Sequence, residues 1–251
     1  RGSKTIQNPK SEVQNLKRRL VEALQVLTGE GVLSGSGHLS ARIPGTETFL
    51  IHPRFAGILA EPKDICTVDF AGKRIGGKGP IPSETPIHSG IYRSRPDVCS
   101  ILHFHGRYSI LVGLLDIGLV PFNREARIFA DGVPIFPESH GINNEALAQR
   151  MVETLGNHYA IFLRGHGCVV VGPGIEGTSI SAIQLERACE DQLRLMSFTT
   201  PKPLPDAGRG RVAARLENPY RAWPFLLYKH NVKSKARIRT SLKSLKEGEH
   251  Y

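Results

Sequence analysis

Several features are missing from this chain of 251 residues, and each absence excludes a class of protein. No apolar run approaches the roughly 20 residues that a membrane-spanning helix needs, so no membrane partner is expected. The four cysteines, Cys66, Cys99, Cys168 and Cys189, are widely spaced and form no C-x-x-C pair, which favours reduced thiols over a disulfide framework. We expect a soluble protein with the cytoplasm as its default location.

Negative charge is scarce only near one end of the chain. Residues 1–206 hold 22 Lys+Arg against 20 Asp+Glu, a net charge of +2, whereas residues 207–251 hold 11 against 3, a net charge of +8. A body with almost no net charge does not favour nucleic acid as a partner. The basic tail, with Lys233, Lys235, Arg237, Arg239 and Lys243, is interpreted as a solvated or partly ordered arm, and an RNA-binding arm is the alternative.

Composition divides the chain into three predicted segments. Residues 1–10 begin with RGS, which is typical of an expression remnant, and we expect them to be disordered because no apolar signal segment follows. Residues 11–200 show the pattern of a single α/β domain. Pro201, Pro203 and Pro205 then introduce a basic C-terminal extension, residues 201–251, which is predicted to be helical or irregular.

Hydrophobic spacing predicts the order of helices and strands. Apolar residues at steps of three and four predict helices at residues 11–29, 85–94, 108–115, 144–155 and 176–198. Strands are predicted after the glycine-rich turn of residues 31–40 and at residues 47–52, 66–70, 98–104, 133–136, 159–163 and 168–171. Residues 74–82, with three glycines and two prolines, are predicted to form a loop that leads to Glu84, and Ser83 is the predicted cap of the helix that follows.

Histidines carry the most specific chemical signal. His103 and His105 stand two residues apart at the end of a predicted strand, so both side chains point to one face and can bind the same ion. His166, between two glycines in a predicted turn, can supply a third imidazole. Three neutral imidazoles with a carboxylate suit Mn²⁺, Fe²⁺, Co²⁺ or Zn²⁺, and they leave coordination positions free for a substrate.

The other histidines have less specific surroundings. His88 lies one helical turn after Glu84, so it is either a supporting partner of the site or a surface residue. His38 and His52 lie at turns near glycine or proline and could converge on the same cleft. The remaining ones are interpreted as structural or solvent-facing: His140, His158, His230 and His250.

Four motifs in their order and spacing resemble the class II aldolase/adducin family. They are GHLSAR at residues 37–42, PSE at 82–84 leading into a helix that ends at SRPD (94–97), HFH at 103–105, and RGHG at 164–167. The resemblance covers roughly residues 11–200. It implies an α/β/α sandwich around a mainly antiparallel central sheet, usually assembled as a homotetramer with the site at a subunit interface, so that the basic extension could pack on a neighbouring subunit.

The resemblance also implies roles for individual residues. His103, His105 and His166 would be the metal ligands, and Glu84 would be the acid/base carboxylate that can also touch the metal. Family members that act on sugar phosphates carry an Asn in place of His38, a Thr-x-Ser-Gly-like turn in place of residues 51–54, and a second Ser in place of Pro82. Those groups cradle phosphate, so a phosphorylated sugar is not expected here.

These departures look more like the branch that contains decarboxylases of hydroxylated benzene or pyridine carboxylates and related iron-dependent oxygenases. A small-molecule carboxylate from aromatic catabolism is therefore the expected substrate. The residues that could supply cationic donors for it are His38, Arg42, His52 and Arg54, although both arginines are equally suited to structural salt bridges.

The implied function is a metal-dependent carbon–carbon lyase. Decarboxylation leaves an electron pair that a metal can stabilise, and a proton must then reach the ring carbon. Glu84 or His38 is the candidate acid, with Tyr220 or Tyr228 of an adjacent subunit as further candidates. The alternatives are an aldolase for a non-phosphorylated hydroxy-oxo acid, an Fe(II)-dependent oxygenase, and a non-catalytic scaffold like the adducin-type relatives that lack the metal site.

Overall fold

The structure is a computed structural model, and it describes residues 9–54, 57–205 and 222–232. Nearly all of the predicted N-terminal remnant, Tyr220 and most of the basic extension lie outside these ranges. Among the described helices, none combines the length and the hydropathy that a transmembrane span requires.

A single eight-stranded sheet forms the centre of the described part of the chain. Its order is β4-β3-β2-β1-β5-β8-β7-β6, and every neighbouring pair is antiparallel except β6 and β7. The predicted mainly antiparallel sheet is therefore confirmed. The strands are β1 His38–Arg42, β2 Thr48–Ile51, β3 Cys66–Asp69, β4 Arg74–Gly76, β5 Ser100–Phe104, β6 Ile135–Phe136, β7 Ala160–Leu163 and β8 Gly167–Gly172.

Helices cover both faces of this sheet, as the α/β/α sandwich requires. They are α1 Pro9–Gly29, α2 Thr85–Ser94, α3 Arg107–Val112, α4 Glu145–Leu155, α5 Ile175–Met196 and α6 Ala222–Lys229, with 3₁₀ turns at Gly57–Leu59 and Ala126–Phe129. On one face α1, α3, α5 and α6 contribute to one hydrophobic core, and on the other face α2 and α4 contribute to a second.

The central strands show why both layers are needed. In β5 every residue is buried, and side chains alternate between the two faces: Leu102 and Phe104 belong to the core under α5, and Ile101 belongs to the core under α2. By the same alternation His103 faces the α2 side. The neighbouring strand β1 places Leu39 on the α5 side, so His38 faces α2 as well.

Two local predictions are wrong. Within the expected loop of residues 74–82, Arg74–Gly76 forms β4, an exposed edge strand that pairs with β3. This strand could not be predicted because three residues, one of them glycine, are too few to show alternation of apolar and polar residues. Ser83 does not cap α2, since the N-cap position is Glu84 and no side chain caps the helix. The Glu84 side chain is therefore free to point elsewhere.

The described part of the C-terminal extension is anchored by one carboxylate. Glu30, just after α1, accepts hydrogen bonds from Lys229 Nζ and His230 Nε2, each at 2.6 Å. Its second oxygen accepts from Arg187 of α5, also at 2.6 Å. Together with the apolar contacts of Trp223, these bonds attach α6 to the rest of the fold.

This anchor makes a pH-dependent contribution to stability. Burial acts to raise the pKa of Glu30, but the hydrogen bonds from Lys229 and His230 and the charge of Arg187 lower it from 4.5 to about 2. A carboxylate whose pKa is lower in the folded state stabilises the fold above its unfolded-state pKa, and that contribution is lost as the pH falls towards 2. We expect Glu30→Gln to lower the free energy of unfolding by about 2 kcal/mol at pH 7 and by clearly less at pH 3.

Urea unfolding at both pH values measures this difference. Glu153→Gln, which changes an exposed carboxylate on α4, is the matched control and should have little effect at either pH. An equal loss for Glu30→Gln at pH 7 and pH 3 would contradict the assigned role.

Candidate metal centre

Four side chains from three separate segments converge at one end of β5. Glu84 comes from the start of α2, His103 and His105 from the end of β5, and His166 from the turn between β7 and β8. Each offers one ligand atom, and these four atoms all lie within 4.8 Å of one another. The predicted His₃–carboxylate group is thus assembled by the fold.

The distances indicate a common focus for the four ligand atoms. His105 Nε2 lies 3.1 Å from His103 Nε2 and 3.1 Å from His166 Nε2. Glu84 Oε2 lies 3.3 Å from His103 Nε2, and Glu84 Oε1 lies 3.7 Å from His166 Nε2. One nitrogen of each ring and both carboxylate oxygens therefore face the same small volume.

Hydrogen bonds on the outer side of the cluster determine which ring nitrogen of each histidine carries the proton. His103 Nδ1 lies 3.0 Å from the carbonyl oxygen of Cys168. A carbonyl can only accept, so Nδ1 carries the proton and Nε2 presents a lone pair. His105 Nδ1 lies 2.7 Å from Ser36 Oγ, which can accept in the same way. Such partners are typical of metal-binding histidines, and lone pairs 3.1 Å apart repel unless a cation lies between them.

His166 depends on the glycines around it. Gly165 has a φ of +67°, in the left-handed region that glycine tolerates, and it allows the tight turn that projects His166. A Cβ on Gly167 would lie 2.5 Å from the carbonyl oxygen of Phe104 and 2.9 Å from His105 Cδ2, so this position has no room for a side chain. His166 Nδ1 is buried and has no hydrogen-bond partner among the described residues.

The electrostatics of the cluster suit a divalent cation. Burial acts to raise the pKa of Glu84, but the neighbouring His103 and His38 and the backbone N–H of Ile142, 2.9 Å from Oε1, hold it well below its usual value. Burial lowers the pKa of His105 to about 4 and also lowers that of His166. At neutral pH the carboxylate of Glu84 is therefore ionised and the imidazoles of His105 and His166 are unprotonated, which is the state that binds a metal.

A cleft of about 370 Å³ opens beside the cluster. Its walls include Glu84 and His105 together with three of the predicted substrate-binding or catalytic residues, His38, His52 and Arg54. The glycine-rich turn before β1 forms another part of the wall. A volume in this range accommodates a compact small molecule.

Burial changes the expected chemistry of His38 and His52. It lowers the pKa of His38 to about 3, against an opposing effect of Glu84, and it lowers the pKa of His52 as well. Both rings are therefore neutral at pH 7, and the expectation that they act as cationic donors is revised. His52 Nδ1 donates to the carbonyl of Pro53 at 3.0 Å, so its buried Nε2, which has no partner among the described residues, is an acceptor.

Arg42 has a structural role in this fold. Its guanidinium donates to the carbonyl oxygens of Val98, Tyr92 and Arg95 at 2.9, 2.7 and 3.0 Å. It also lies 4.8 Å from the ring centroids of Phe70 and Tyr92. Arg42 is not among the residues that line the cleft, so the structure does not support its predicted contact with substrate.

The predicted tyrosine contributions remain predictions. Tyr228 lies on α6 with 76% of its surface exposed, and it is not among the residues that line this cleft. Tyr220 lies outside the described residues. A role for Tyr228 in substrate binding would depend on a neighbouring subunit.

Sequence reasoning did not identify several supporting groups. Ser36 was part of the recognised glycine-rich turn, so its position offered a weak signal. The carbonyl of Cys168 and the N–H of Ile142 offered none, because any residue supplies the same backbone groups. Cys168 itself is buried, and burial raises the pKa of its thiol well above the usual value, so the side chain serves packing.

The metal centre can be tested by removing one ligand. We expect His105→Ala to weaken Mn²⁺ binding by about 100-fold or more, because one of the three imidazole ligands is lost and Ser36 loses its partner. Isothermal titration calorimetry with Mn²⁺ measures this directly. His140→Gln changes an exposed histidine outside the cluster and should leave the affinity unchanged. Undiminished Mn²⁺ binding by His105→Ala would rule out the proposed ligand set.

Comparison with known families identifies a match over most of the chain. The family described as "Class II Aldolase and Adducin N-terminal domain" matches residues 18–193. This range includes all four residues of the cluster and every strand of the sheet.

Two curated relatives are similar over most of their length. A 3,4-dihydroxyphthalate decarboxylase of Arthrobacter keyseri is 29% identical over 201 residues, which cover 74% of this chain and 81% of the relative. A second 3,4-dihydroxyphthalate decarboxylase, from Terrabacter sp. (strain DBF63), is 30% identical over 195 residues, which cover 71% and 81%. Both agree with the decarboxylase branch to which the motifs pointed.

Solved structures agree on the fold. An aldolase II superfamily protein from Pseudomonas syringae superposes with a TM-score of 0.78 at 23% identity, and the alignment covers 89% of this chain and 94% of that one. At this identity the similarity establishes the fold alone.

Proposed function

The chain belongs to the class II aldolase and adducin family, and on this basis we propose that it is a metal-dependent decarboxylase of a hydroxylated aromatic carboxylate. The observation that carries the proposal is the cleft that meets the His₃–Glu84 cluster with His52 and Arg54 in its wall. The relatives that are 3,4-dihydroxyphthalate decarboxylases support the same reaction class.

The ligand set defines what a cofactor would contribute. His103, His105, His166 and Glu84 would hold a divalent ion, and that ion would act as a Lewis acid for the electron pair left by the departing carboxylate. Mn²⁺, Fe²⁺, Co²⁺ and Zn²⁺ are all compatible with these ligands.

Glu84 is the proposed carrier of the proton. Its low pKa means that it enters the reaction as a carboxylate, so it can accept the proton of a substrate hydroxyl. Loss of CO₂ leaves an electron pair on the ring carbon, and the same proton can then form the new C–H bond. His38, whose Nε2 lies 3.8 Å from Glu84 Oε2, stands close enough to assist this transfer.

Arg54 and His52 are proposed to select the substrate. Arg54 lies in the cleft wall, and its guanidinium group suits a carboxylate that remains on the substrate. His52 offers a buried acceptor at Nε2, which suits a hydroxyl group. A molecule that carries both groups would satisfy both residues.

The proposal extends to the assembly. We propose a homotetramer in which a neighbouring subunit completes the cleft and contributes Tyr220 and Tyr228. Apolar side chains near the His166 turn support a contact at this end of the sheet: Leu111, Leu114 and Ile117 are 45%, 46% and 53% exposed.

The role of Glu84 can be separated from metal binding. We expect Glu84→Gln to retain bound Mn²⁺, since three imidazoles remain, but to lose at least about 100-fold in kcat, because the amide cannot carry the proton. Metal content by mass spectrometry and CO₂ release from hydroxylated aromatic carboxylates are the two measurements. Glu153→Gln is the control, and an unchanged rate for Glu84→Gln would refute the role.

The same screen distinguishes the reaction classes when it is run with and without oxygen. Release of one CO₂ under both conditions supports the decarboxylase. A product that forms only with oxygen and Fe²⁺ supports the oxygenase alternative. If no reaction occurs under either condition, the aldolase alternative is favoured, with a non-phosphorylated hydroxy-oxo acid as the substrate.

The two selecting residues should respond differently to substrate analogues. For a hydroxylated aromatic carboxylate and its deoxy analogue, we expect His52→Phe to remove about 10-fold of the preference for the hydroxylated compound, equivalent to about 1.4 kcal/mol. Arg54→Gln should weaken the binding of both compounds by a similar factor, because both compounds keep the carboxylate. Competition binding to the Mn²⁺-loaded protein measures both ratios, and an undiminished hydroxyl preference in His52→Phe would contradict the assignment.

A further inference from the structure

Behind the cleft, a chain of buried polar side chains connects α2 to β1. His88 and Tyr92 lie four residues apart on α2 and face the sheet, where His38 and Ser40 of β1 point towards them. Tyr92 OH lies 2.8 Å from Ser40 Oγ, Ser40 Oγ lies 2.6 Å from His88 Nδ1, and His88 Nε2 lies 2.6 Å from His38 Nδ1. His38 is the one member that lines the cleft.

This chain of hydrogen bonds is enclosed by the protein. Ser40, His88 and Tyr92 expose 0%, 0% and 1% of their surface. Phe49 stacks on the His88 ring with a centroid distance of 6.1 Å and lies 5.1 Å from the Tyr92 ring. Buried polar groups in such a setting need partners within the protein, so the direction of each hydrogen bond matters.

The direction of each hydrogen bond follows from the group at the Tyr92 end of this series. Burial raises the pKa of Tyr92 far above its usual value, so its hydroxyl keeps its proton. Ser40 Oγ is the one acceptor that the described residues offer to that proton, so Tyr92 donates to Ser40. Ser40 then donates its own proton to His88 Nδ1, and His88, which burial keeps neutral, donates from Nε2 to His38 Nδ1.

The opposite direction leaves a defect. If His38 donated from Nδ1, His88 would donate to Ser40 and Ser40 to Tyr92. The Tyr92 hydroxyl proton would then have no acceptor among the described residues, in a position closed to water. Both directions form three hydrogen bonds, but only the first gives the Tyr92 hydroxyl proton an acceptor.

We infer that Tyr92, Ser40 and His88 are positioning residues that fix His38 in the tautomer with its proton on Nε2. The cleft then meets an N–H donor next to Glu84, 3.8 Å from Oε2. This inference deepens the proposed function, since a fixed donor can hold a substrate oxygen or the Glu84 carboxylate during proton transfer. The tautomer itself does not depend on which reaction the protein catalyses.

Nuclear magnetic resonance of the ¹⁵N-histidine-labelled protein, loaded with Zn²⁺ to stay diamagnetic, tests the tautomer directly. Long-range ¹H–¹⁵N correlations distinguish a protonated ring nitrogen from an unprotonated one, and His38→Asn assigns the signals. We expect protons on Nε2 of both His38 and His88 in the wild-type protein. We expect Tyr92→Phe and Ser40→Ala to produce His38 with its proton on Nδ1 in a substantial fraction of molecules.

Ser89→Ala is the matched control for Ser40→Ala. Ser89 is buried on α2 next to His88, but its hydroxyl has no partner among the described residues. The control should leave the His38 signals unchanged, and thermal unfolding shows whether each variant is folded. A proton on His38 Nδ1 in the wild type, or unchanged His38 signals in both Tyr92→Phe and Ser40→Ala, would overturn the inference.

Kinetics on a substrate found by the decarboxylation screen supply the functional readout. We expect Tyr92→Phe to lower kcat by about 10-fold with little change in KM, because Tyr92 acts on the substrate through His38. An unchanged kcat would overturn the positioning role. If no substrate is found, the proposed function fails while the tautomer measurement still decides the inference, so the two failures are distinguishable.

Discussion

The register of β5 between β1 and β8 is the constraint on which the rest of the site depends. His103 pairs with His38 on one side and with Val169 on the other. This pairing places the His166 turn beside the end of β5, and it sets β1 so that His38 lies next to the cluster. A shift of one residue would turn these imidazoles into the opposite core, where Leu102 and Phe104 now pack.

Burial then gives the assembled groups their chemistry. Removal from water disfavours charged imidazoles, so the pKa values of His38, His105 and His166 are lowered and the rings offer lone pairs or neutral N–H groups. The carboxylate of Glu84 stays ionised because the Ile142 N–H and the neighbouring rings hold it in that state. The result is a group of one carboxylate and three imidazoles whose lone pairs suit a divalent cation.

The cleft also receives polar groups from outside the metal-ligand cluster. His52 and Arg54 stand in its wall, and the hydrogen-bonded series that begins at Tyr92 reaches it through His38. These are the groups through which we propose that the protein selects a hydroxylated carboxylate.

The sequence by itself determined the fold class, through its resemblance to a known family, and most element positions, through hydrophobic periodicity. It also identified the four residues that the fold brings together, because the H-x-H and G-H-G motifs are local patterns. It could not determine that Arg42 binds backbone carbonyls, that His52 is an acceptor, or that Ser36 and Tyr92 support site histidines. Those roles depend on desolvation and on hydrogen-bond partners distant in sequence, such as Ser36 and His105, which are 69 positions apart. Only tertiary structure brings such groups within 3 Å of one another, and so only it decides their protonation and direction.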